Sequence, residues 1–285
     1  MIALVTDSNA QLPPELVERY GVEVVPLTVT VDGQAMLEGV DLDADAFYAR
    51  FQGGHRPQVS TSQPSPGTFA QVFADLAARG AEQILAVHVG SAISGTVNSA
   101  RLGADGSLVP VRIVDTGTVS FGVACCVWEA GEALSGGATV DEAAAVAAVV
   151  GETVDTVFTV GALELAMAGG RLASAAGTAP GGGAGARAVP ILTMAGGQMQ
   201  VVGQAGDVQE AAQLMAEHVL TAAQRSPLRV GLGVADVSAT ALWRALEDRL
   251  AGAPGVKEIV RYRVGPSVGA HTGPGTAGAF FYPSA

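Results

Sequence analysis

Apolar runs that alternate with amphipathic segments dominate the first half of the chain. Residues 2–5 form one such run, and Pro13-Pro14 then opens a helical pattern that stops at Gly21. The same succession recurs at the apolar runs 83–89 and 111–114. Regular alternation of strands and helices predicts a doubly wound, mostly parallel sheet. The other elements predicted in this half are a strand over residues 22–30 and helices over residues 43–51, 66–80 and 94–102, from about 120 and from 141.

The second half adds a hairpin to this pattern. Apolar stretches at residues 189–194 and 199–202 flank Gly196-Gly197, a pair typical of a tight turn between antiparallel strands. A hairpin among alternating strands and helices predicts a mixed α/β sheet. We therefore expect an α/β protein with two domains, residues 1–155 and residues 156–285. The other elements predicted here are strands over residues 157–160, 230–234, 259–264 and 279–282, and helices over residues 207–225 and 238–250.

Length and composition agree with two packed domains. The 285 residues exceed what one hydrophobic core usually organises. Apolar residues make up 49% of the chain and aromatic residues only 5%, so any apolar cavity should be lined mainly by aliphatic side chains. Residues 177–186, rich in Gly and Ala, offer little to pack, and we expect a mobile loop there.

The charge balance narrows the classes of partner. There are 27 acidic against 15 basic residues, a net charge of −12. Nucleic acid is excluded as a partner, because its binding needs a basic patch, and an acidic membrane surface is disfavoured for the same reason. An anionic ligand would have to be held by local dipoles, since the global field repels it.

The chain has no segment typical of export or membrane insertion. Asp7 ends the first apolar run, which has no preceding basic residues, and no run reaches about 18 apolar residues. We expect a cytoplasmic protein without stable membrane insertion. Cys125 and Cys126 are adjacent within an apolar, helical run, so we expect buried thiols and no disulfide.

Hydroxyl-bearing loops follow several of the predicted strands. Thr61 and Ser62 precede the helix that Pro66 opens, and Ser94 is a natural N-cap that Gly95 follows. A helix start offers free N–H groups and a positive dipole end to an anion. Several such loops near the carboxyl ends of strands favour a site for a carboxylate or a single phosphate, with no cation required. In the alternative interpretation, each hydroxyl only caps its own helix.

Two generic motifs carry little weight. Residues 265–269 read Gly-Pro-Ser-Val-Gly, the nucleophile-elbow pattern, but the Gly/Pro sequence that follows leaves room for a helix of a turn or two at most. Residues 273–278 match a dinucleotide fingerprint that leads into a strand instead of a helix. Lys257 is the only lysine, so no P-loop exists, and the four histidines lack the spacing of metal ligands. No cofactor is expected.

Two further residues occupy loops that a ligand or partner can approach. His271 lies in a Gly/Pro segment, and Arg171 follows Gly169-Gly170. Each has a structural alternative: a hydrogen-bonded loop residue for His271, and a charge at a helix C-terminus for Arg171.

These motifs, in this order, resemble the DegV family. The Thr-Ser-Gln-Pro-Ser block and the Gly-x-His-x-Gly-Pro-Gly block are specific when they occur together. The matching segments span almost the whole chain: residues 6–8, 61–67, 93–96 with 99–100, 114–115 with 120–122, 165 with 169–172, 190–192, and 269–275 with 278.

The resemblance implies a fold and a function. Members of the family have two α/β domains with a long-chain fatty acid between them, and some act as the binding subunit of a fatty acid kinase. By position, Thr61, Ser62 and Ser94 would hold the carboxylate and Gly95 would provide a backbone N–H. His271 would lie near the head group. Arg171 would lie on the surface that meets an ATP-dependent kinase subunit.

The chain departs from the family on the kinase-facing surface. Val189 stands where the family usually has Lys before Pro-Ile-Leu. Residues 203–206 read Gly-Gln-Ala-Gly where basic residues usually follow the hairpin, and residues 177–186 replace part of the expected helix. We expect fatty acid binding to survive these changes, whereas they put the docking of a conventional kinase partner in question.

The leading hypothesis is a fatty-acid-binding carrier that is not itself an enzyme. One alternative is a serine-type hydrolase or acyl transferase that uses Ser94 or Ser62 with His271. The other is a binding protein for a different small anion, such as a phosphorylated molecule.

Overall fold

The computed structural model describes residues 1–170 and 188–284. The first half contains seven strands and six helices. The strands are β1 (Ile2–Asp7), β2 (Glu23–Val25), β3 (Thr28–Val31), β4 (Gln34–Leu37), β5 (Val59–Ser62), β6 (Gln83–His88) and β7 (Val111–Asp115). The helices are α1 (Pro14–Tyr20), α2 (Ala44–Ala49), α3 (Pro66–Ala78), α4 (Thr96–Ala104), α5 (Phe121–Ser135) and α6 (Val140–Thr153).

The predicted parallel sheet is confirmed. Its order is β2-β1-β6-β7, and all neighbours are parallel. Successive side chains point to opposite faces, so Leu4 and Leu85 pack with α5 and α6 whereas Val5 and Ala86 pack with α3 and α4. Helices cover both faces of the sheet, which explains why its strands are apolar throughout.

The strand predicted over residues 22–30 is wrong as a single element. It divides into β2 and β3, which belong to different sheets. Pro26 lies at the break, and its missing N–H cannot continue a ladder of hydrogen bonds. β3 instead forms a small antiparallel sheet of order β4-β3-β5, in which neither β4 nor β5 was predicted. Asp32 and Gly33, both with positive φ, form the tight turn between β3 and β4.

The second half forms the expected mixed sheet. Its strands are β8 (Asp155–Thr159), β9 (Val189–Ala195), β10 (Gln198–Ala205), β11 (Leu228–Val234), β12 (Val256–Arg263) and β13 (Ala277–Pro283), in the order β10-β9-β8-β13-β11-β12. The β9–β10 hairpin turns at Gly196-Gly197, as predicted. Among the described strands of this sheet, only β11 and β12 are parallel neighbours. Its helices are α7 (Leu163–Ala168), α8 (Val208–Ala223), α9 (Thr240–Leu250) and α10 (Pro266–Thr272).

Strand β13 joins the cores of the two halves. Phe281 packs beneath α8 and α9, whereas Phe280 and Tyr282 point to the other face and belong to the core that contains α5. Arg229 of β11 adds an ion pair with Glu129 of α5. The parallel sheet and the mixed sheet therefore share one apolar core, and the domain boundary at residue 155 stays a prediction.

Three further findings bear on the expectations from the sequence. Cys125 and Cys126 are free and buried, as expected. Within the two described ranges, no helix is both long enough and apolar enough to cross a membrane. Arg171 and the Gly-rich residues 177–186 lie outside the described residues.

Candidate functional site

A cavity of about 190 Å³ is lined by residues from both halves of the molecule. Five of the sequence-predicted residues lie in its wall: Thr61, Ser62, Ser94, Gly95 and His271. The apolar part of the wall is mainly aliphatic, as the composition predicts, and includes the aromatic rings of Phe158, Tyr262 and Phe280. The structure therefore brings together hydroxyl groups and apolar surface in one cavity.

Thr61 and His271 are in direct contact. Thr61 Oγ1 lies 3.0 Å from His271 Nε2, although 210 positions separate the two residues. Thr61 belongs to β5, where it pairs with Val29, so the small antiparallel sheet sets its position. Ser62, the last residue of β5, is exposed while still lining the cavity.

Ser94 does not have the position predicted from the sequence. Helix α4 begins at Thr96 with Gly95 as its N-cap residue, and Ser94 lies one residue earlier. Its Oγ accepts a hydrogen bond from the Thr96 N–H at 3.3 Å and lies 2.8 Å from Thr96 Oγ1. Ser94 thus contacts the helix start and lines the cavity at once, so capping and ligand binding are compatible at this residue.

The loop of Gly95 lies against the end of β5. A Cβ atom on Gly95 would lie 2.9 Å from Nε2 of Gln63, the residue that follows Ser62. A side chain at position 95 would therefore require the Gln63 side chain to move. This close approach explains how loops that are distant in sequence form one polar wall.

His271 lies in a short helix and not in the irregular Gly/Pro loop that the sequence suggests. Helix α10 covers two turns and ends at Thr272, with Gly273 as its C-cap residue. The imidazole ring packs against Gly169, where an added Cβ would lie 2.5 Å from Nδ1. Ser267, the serine of the elbow-like motif, is buried, and its Oγ lies 3.4–3.5 Å from the side-chain amides of Gln11 and Asn9.

The cavity wall carries no formal negative or positive side chain among the described residues. None of its described lining residues is Lys, Arg, Asp or Glu. Burial raises the pKa of the Tyr262 phenol, so this group stays neutral. No three His, Cys, Asp or Glu side chains within residues 1–170 and 188–284 form a set of metal ligands. An anion in this cavity would have to be held by neutral hydrogen-bond donors.

A buried polar network that sequence reasoning missed supports the site. Asp7 and His88 are both fully buried and lie 2.9 Å apart, Oδ2 to Nδ1. Asp7 also accepts the N–H of Asn9, and Asn9 Oδ1 accepts the N–H of Ser120 at 2.9 Å. These bonds join the carboxyl ends of β1, β6 and the loop after β7. The only sequence signal for this network is that polar residues follow each strand. No neighbouring residue indicates that Asp7 pairs with His88, 81 positions away.

An α/β fold with a neutral, hydroxyl-bearing cavity lined by both of its halves defines the class of protein, and comparison with known proteins identifies the family. A model of the DegV family, described as uncharacterised proteins, matches residues 1–284. The chain is 33% identical over 279 residues to a DegV domain-containing protein of Streptomyces coelicolor, covering 97% of this chain and 96% of that one. It is also 33% identical over 287 residues to one of Deinococcus radiodurans, covering 99% and 98%. The chain belongs to the DegV family.

Solved structures agree with this assignment. A Thermus thermophilus DegV family protein, described by its fatty acid binding, superposes with a TM-score of 0.86 at 31% identity over 99% of both chains. A Bacillus subtilis DegV protein, described as a fatty acid binding protein, superposes with a TM-score of 0.85 at 24% identity over 99% of both chains and supports the fold alone.

Proposed function

We propose that the protein binds a long-chain fatty acid in the cavity that both halves of the molecule line. The carboxylate would be held by Thr61, Ser62 and Ser94, by the backbone N–H of Gly95, and near His271. The observation that carries the proposal is the neutral cavity in which Thr61 Oγ1 lies 3.0 Å from His271 Nε2 beside a mainly apolar wall. The 31% identity to the Thermus thermophilus protein supports the same ligand class.

The acyl chain and the carboxylate of such a ligand make opposite contributions to the free energy of binding. An acyl chain of about a dozen methylenes, at ~0.8 kcal/mol each, would contribute on the order of 10 kcal/mol before ordering costs. A carboxylate that left water without hydrogen bonds would cancel this gain. The hydroxyl cluster would replace the lost water, so head-group donors and apolar wall are both required.

The contact between Thr61 and His271 determines what Thr61 can do for the carboxylate. A hydroxyl has one proton to donate. If His271 Nε2 carries a proton and donates it to Thr61 Oγ1, the Thr61 proton is free for the ligand. If Nε2 is instead the acceptor, Thr61 donates its only proton to the imidazole and has none for the ligand. We therefore propose that His271 carries its proton on Nε2 in the ligand-bound state and orients Thr61 as a donor.

The same geometry favours a carrier over a hydrolase. His271 Nε2 faces a threonine hydroxyl, and Ser94 Oγ lies beside Thr96 Oγ1 at 2.8 Å. A serine nucleophile would need the imidazole within hydrogen-bond reach. We expect no sustained turnover when the pure protein is incubated with acyl esters. Turnover that disappears in Ser94→Ala would contradict the carrier proposal.

Presentation of the carboxylate to a separate ATP-dependent kinase subunit is the finer part of the proposal. Its support is the exposure of Ser62, which places the head-group end near solvent. Arg171 would lie on the docking surface, while Val189 and residues 203–206 lack the usual basic side chains. Acyl phosphate formed from bound fatty acid, ATP and a bacterial fatty acid kinase subunit would support this step. If no acyl phosphate forms, the proposed kinase role is contradicted, whereas the proposed fatty acid binding is not affected.

Solvent extraction of the purified protein followed by mass spectrometry tests the ligand class. We expect about one fatty acid per chain after bacterial expression, because the apolar wall would retain it through purification. Extraction of a matched sample after passage over a delipidating resin is the control. A phosphorylated small molecule in place of a fatty acid, or no lipid at all, would contradict the proposal.

Gly169→Ala is expected to weaken fatty acid binding by about 1–3 kcal/mol. The added Cβ would lie 2.5 Å from His271 Nδ1, so the ring must shift from the position in which its Nε2 contacts Thr61. The measurement is the dissociation constant of a fluorescent fatty acid with delipidated protein. Gly106→Ala is the matched control, because its added Cβ would meet no atom within 4 Å. Equal affinity of the two variants would show that the position of His271 does not matter.

A further inference from the structure

A buried carboxylate lies behind the helix that carries His271. Glu38 follows β4 and is only 6% exposed. Its Oε1 accepts the N–H of Ser267 at 2.8 Å and an amide hydrogen of Gln11 at 3.3 Å. The Ser8 hydroxyl donates to Oε2. These three partners are all neutral groups.

Helix α10 needs this help because its own sequence provides no cap. The N-cap residue, Gly265, has no side chain that could accept a hydrogen bond from the first turn of the helix. Pro266, which follows it, has no N–H. Gln11 Oε1 accepts the Gly265 N–H, and Glu38 accepts the Ser267 N–H. A helix of two turns is not stable by itself, so contacts from elsewhere set its position.

The same small sheet holds both sides of the head-group contact. Glu38 follows β4 and Thr61 lies in β5, and both strands pair with β3. Ser267 and His271 are four residues apart in α10, which places them on one face of the helix. The sheet therefore fixes Thr61 directly and holds the start of α10 through Glu38.

We propose that Glu38 is a positioning residue of the fatty acid site, which holds α10 in register so that His271 meets Thr61. Its role is indirect, since Glu38 is not among the residues that line the cavity. Burial raises the pKa of Glu38, because desolvation disfavours the charged carboxylate, whereas its hydrogen bonds to Ser267, Ser8 and Gln11 favour it. This inference rests on the proposed fatty acid binding for its affinity readout only.

The test compares Glu38→Ala with Glu38→Gln in two measurements. The first is the imidazole NMR signal of His271 in delipidated protein, assigned with a His271→Asn variant. The second is the dissociation constant of a fluorescent fatty acid. Glu38→Ala should move the His271 signal toward its position in Thr61→Val and weaken binding by about tenfold, the effect of one lost hydrogen bond to a charged group. Glu38→Gln keeps an acceptor for the Ser267 N–H and should restore both.

Asp207→Ala is the matched control. Asp207 caps α8 by accepting the N–H groups of Gln209 and Glu210, and it is exposed and absent from the cavity wall. Its loss should lower stability without moving the His271 signal or the affinity. If Glu38→Ala does not fold, Glu38→Asp, which withdraws the carboxylate from Ser267 by one methylene, should give both effects in reduced form.

The outcomes separate this inference from the proposed function. An unmoved His271 signal in both Glu38→Ala and Glu38→Asp would overturn the positioning role, whatever happens to affinity. A moved signal that Glu38→Gln restores would support it, even if the wild-type protein binds no fatty acid. In that case the proposed ligand would fail and the positioning of His271 would stand.

Discussion

Asp7→Ala is expected to lower the free energy of unfolding by about 3–5 kcal/mol, the cost of removing one partner of a buried pair. Asp7 and His88 have no solvent-exposed side-chain surface. Besides the His88 Nδ1 contact at 2.9 Å, the carboxylate accepts the N–H groups of Val89 and Asn9, both at 3.1 Å. Alanine would leave all three groups buried without this partner, where each unsatisfied donor costs about 1–3 kcal/mol.

Urea denaturation measures this change as a shift of the midpoint at constant slope. Asp45→Ala is the matched control, because Asp45 also pairs with a basic side chain, that of Arg263, but is 90% exposed. An exposed pair contributes at most about 1 kcal/mol, so the control should remain close to wild type. Equal losses in the two variants would mean that the buried network does not stabilise the strand ends.

Thr61→Val and Ser94→Ala are each expected to weaken fatty acid binding by about 1–3 kcal/mol, roughly 5- to 150-fold. Valine keeps the shape of threonine and removes only the hydroxyl that lies 3.0 Å from His271 Nε2. Ser94→Ala removes a second hydroxyl of the cavity wall, which also contacts the start of α4. In both variants the carboxylate would be buried with one donor fewer.

Calorimetric titration of delipidated protein with hexadecanoic acid provides the measurement. Ser65→Ala is the control that separates capping from binding. Ser65 belongs to the same hydroxyl-rich segment and accepts the Thr68 N–H at 3.1 Å as N-cap of α3, but it does not line the cavity. Ser65→Ala should lower the free energy of unfolding and leave the affinity for the fatty acid unchanged. Unchanged affinity in both Thr61→Val and Ser94→Ala would place the head group elsewhere.

Local signals carried the prediction of the regular elements. The apolar run of β1, the prolines before α1 and α3, and the glycine pair of the β9–β10 hairpin each act within a few residues, so one sequence suffices to read them. The parallel sheet followed from the order of these elements. The hydroxyl-bearing loops were visible for the same reason, because residues at strand ends and helix starts have strong local preferences.

Three features differ from the local prediction, and the first and third of them depend on contacts between distant segments. Pro26 divides a stretch that its composition predicts as one strand, and the sheet that receives β3 exists only because β4 and β5 pair with it. Ser94 lies one residue before the N-cap of α4. His271 lies in a helix capped by Gln11 and Glu38, residues more than two hundred positions away. The preferences of residues for local structure do not predict any of these features.

The sequence alone thus determined the α/β class, most element positions and the hydroxyl groups that could hold an anion, since these depend on neighbours along the chain. The tertiary structure decided which hydroxyl faces which imidazole. It also decided which buried groups hold the two side chains in place. Thr61 meets His271 because β5 pairs with β3 and because Glu38 holds the start of α10. Such pairings depend on burial and hydrogen bonding across the fold, so no short stretch of sequence encodes them.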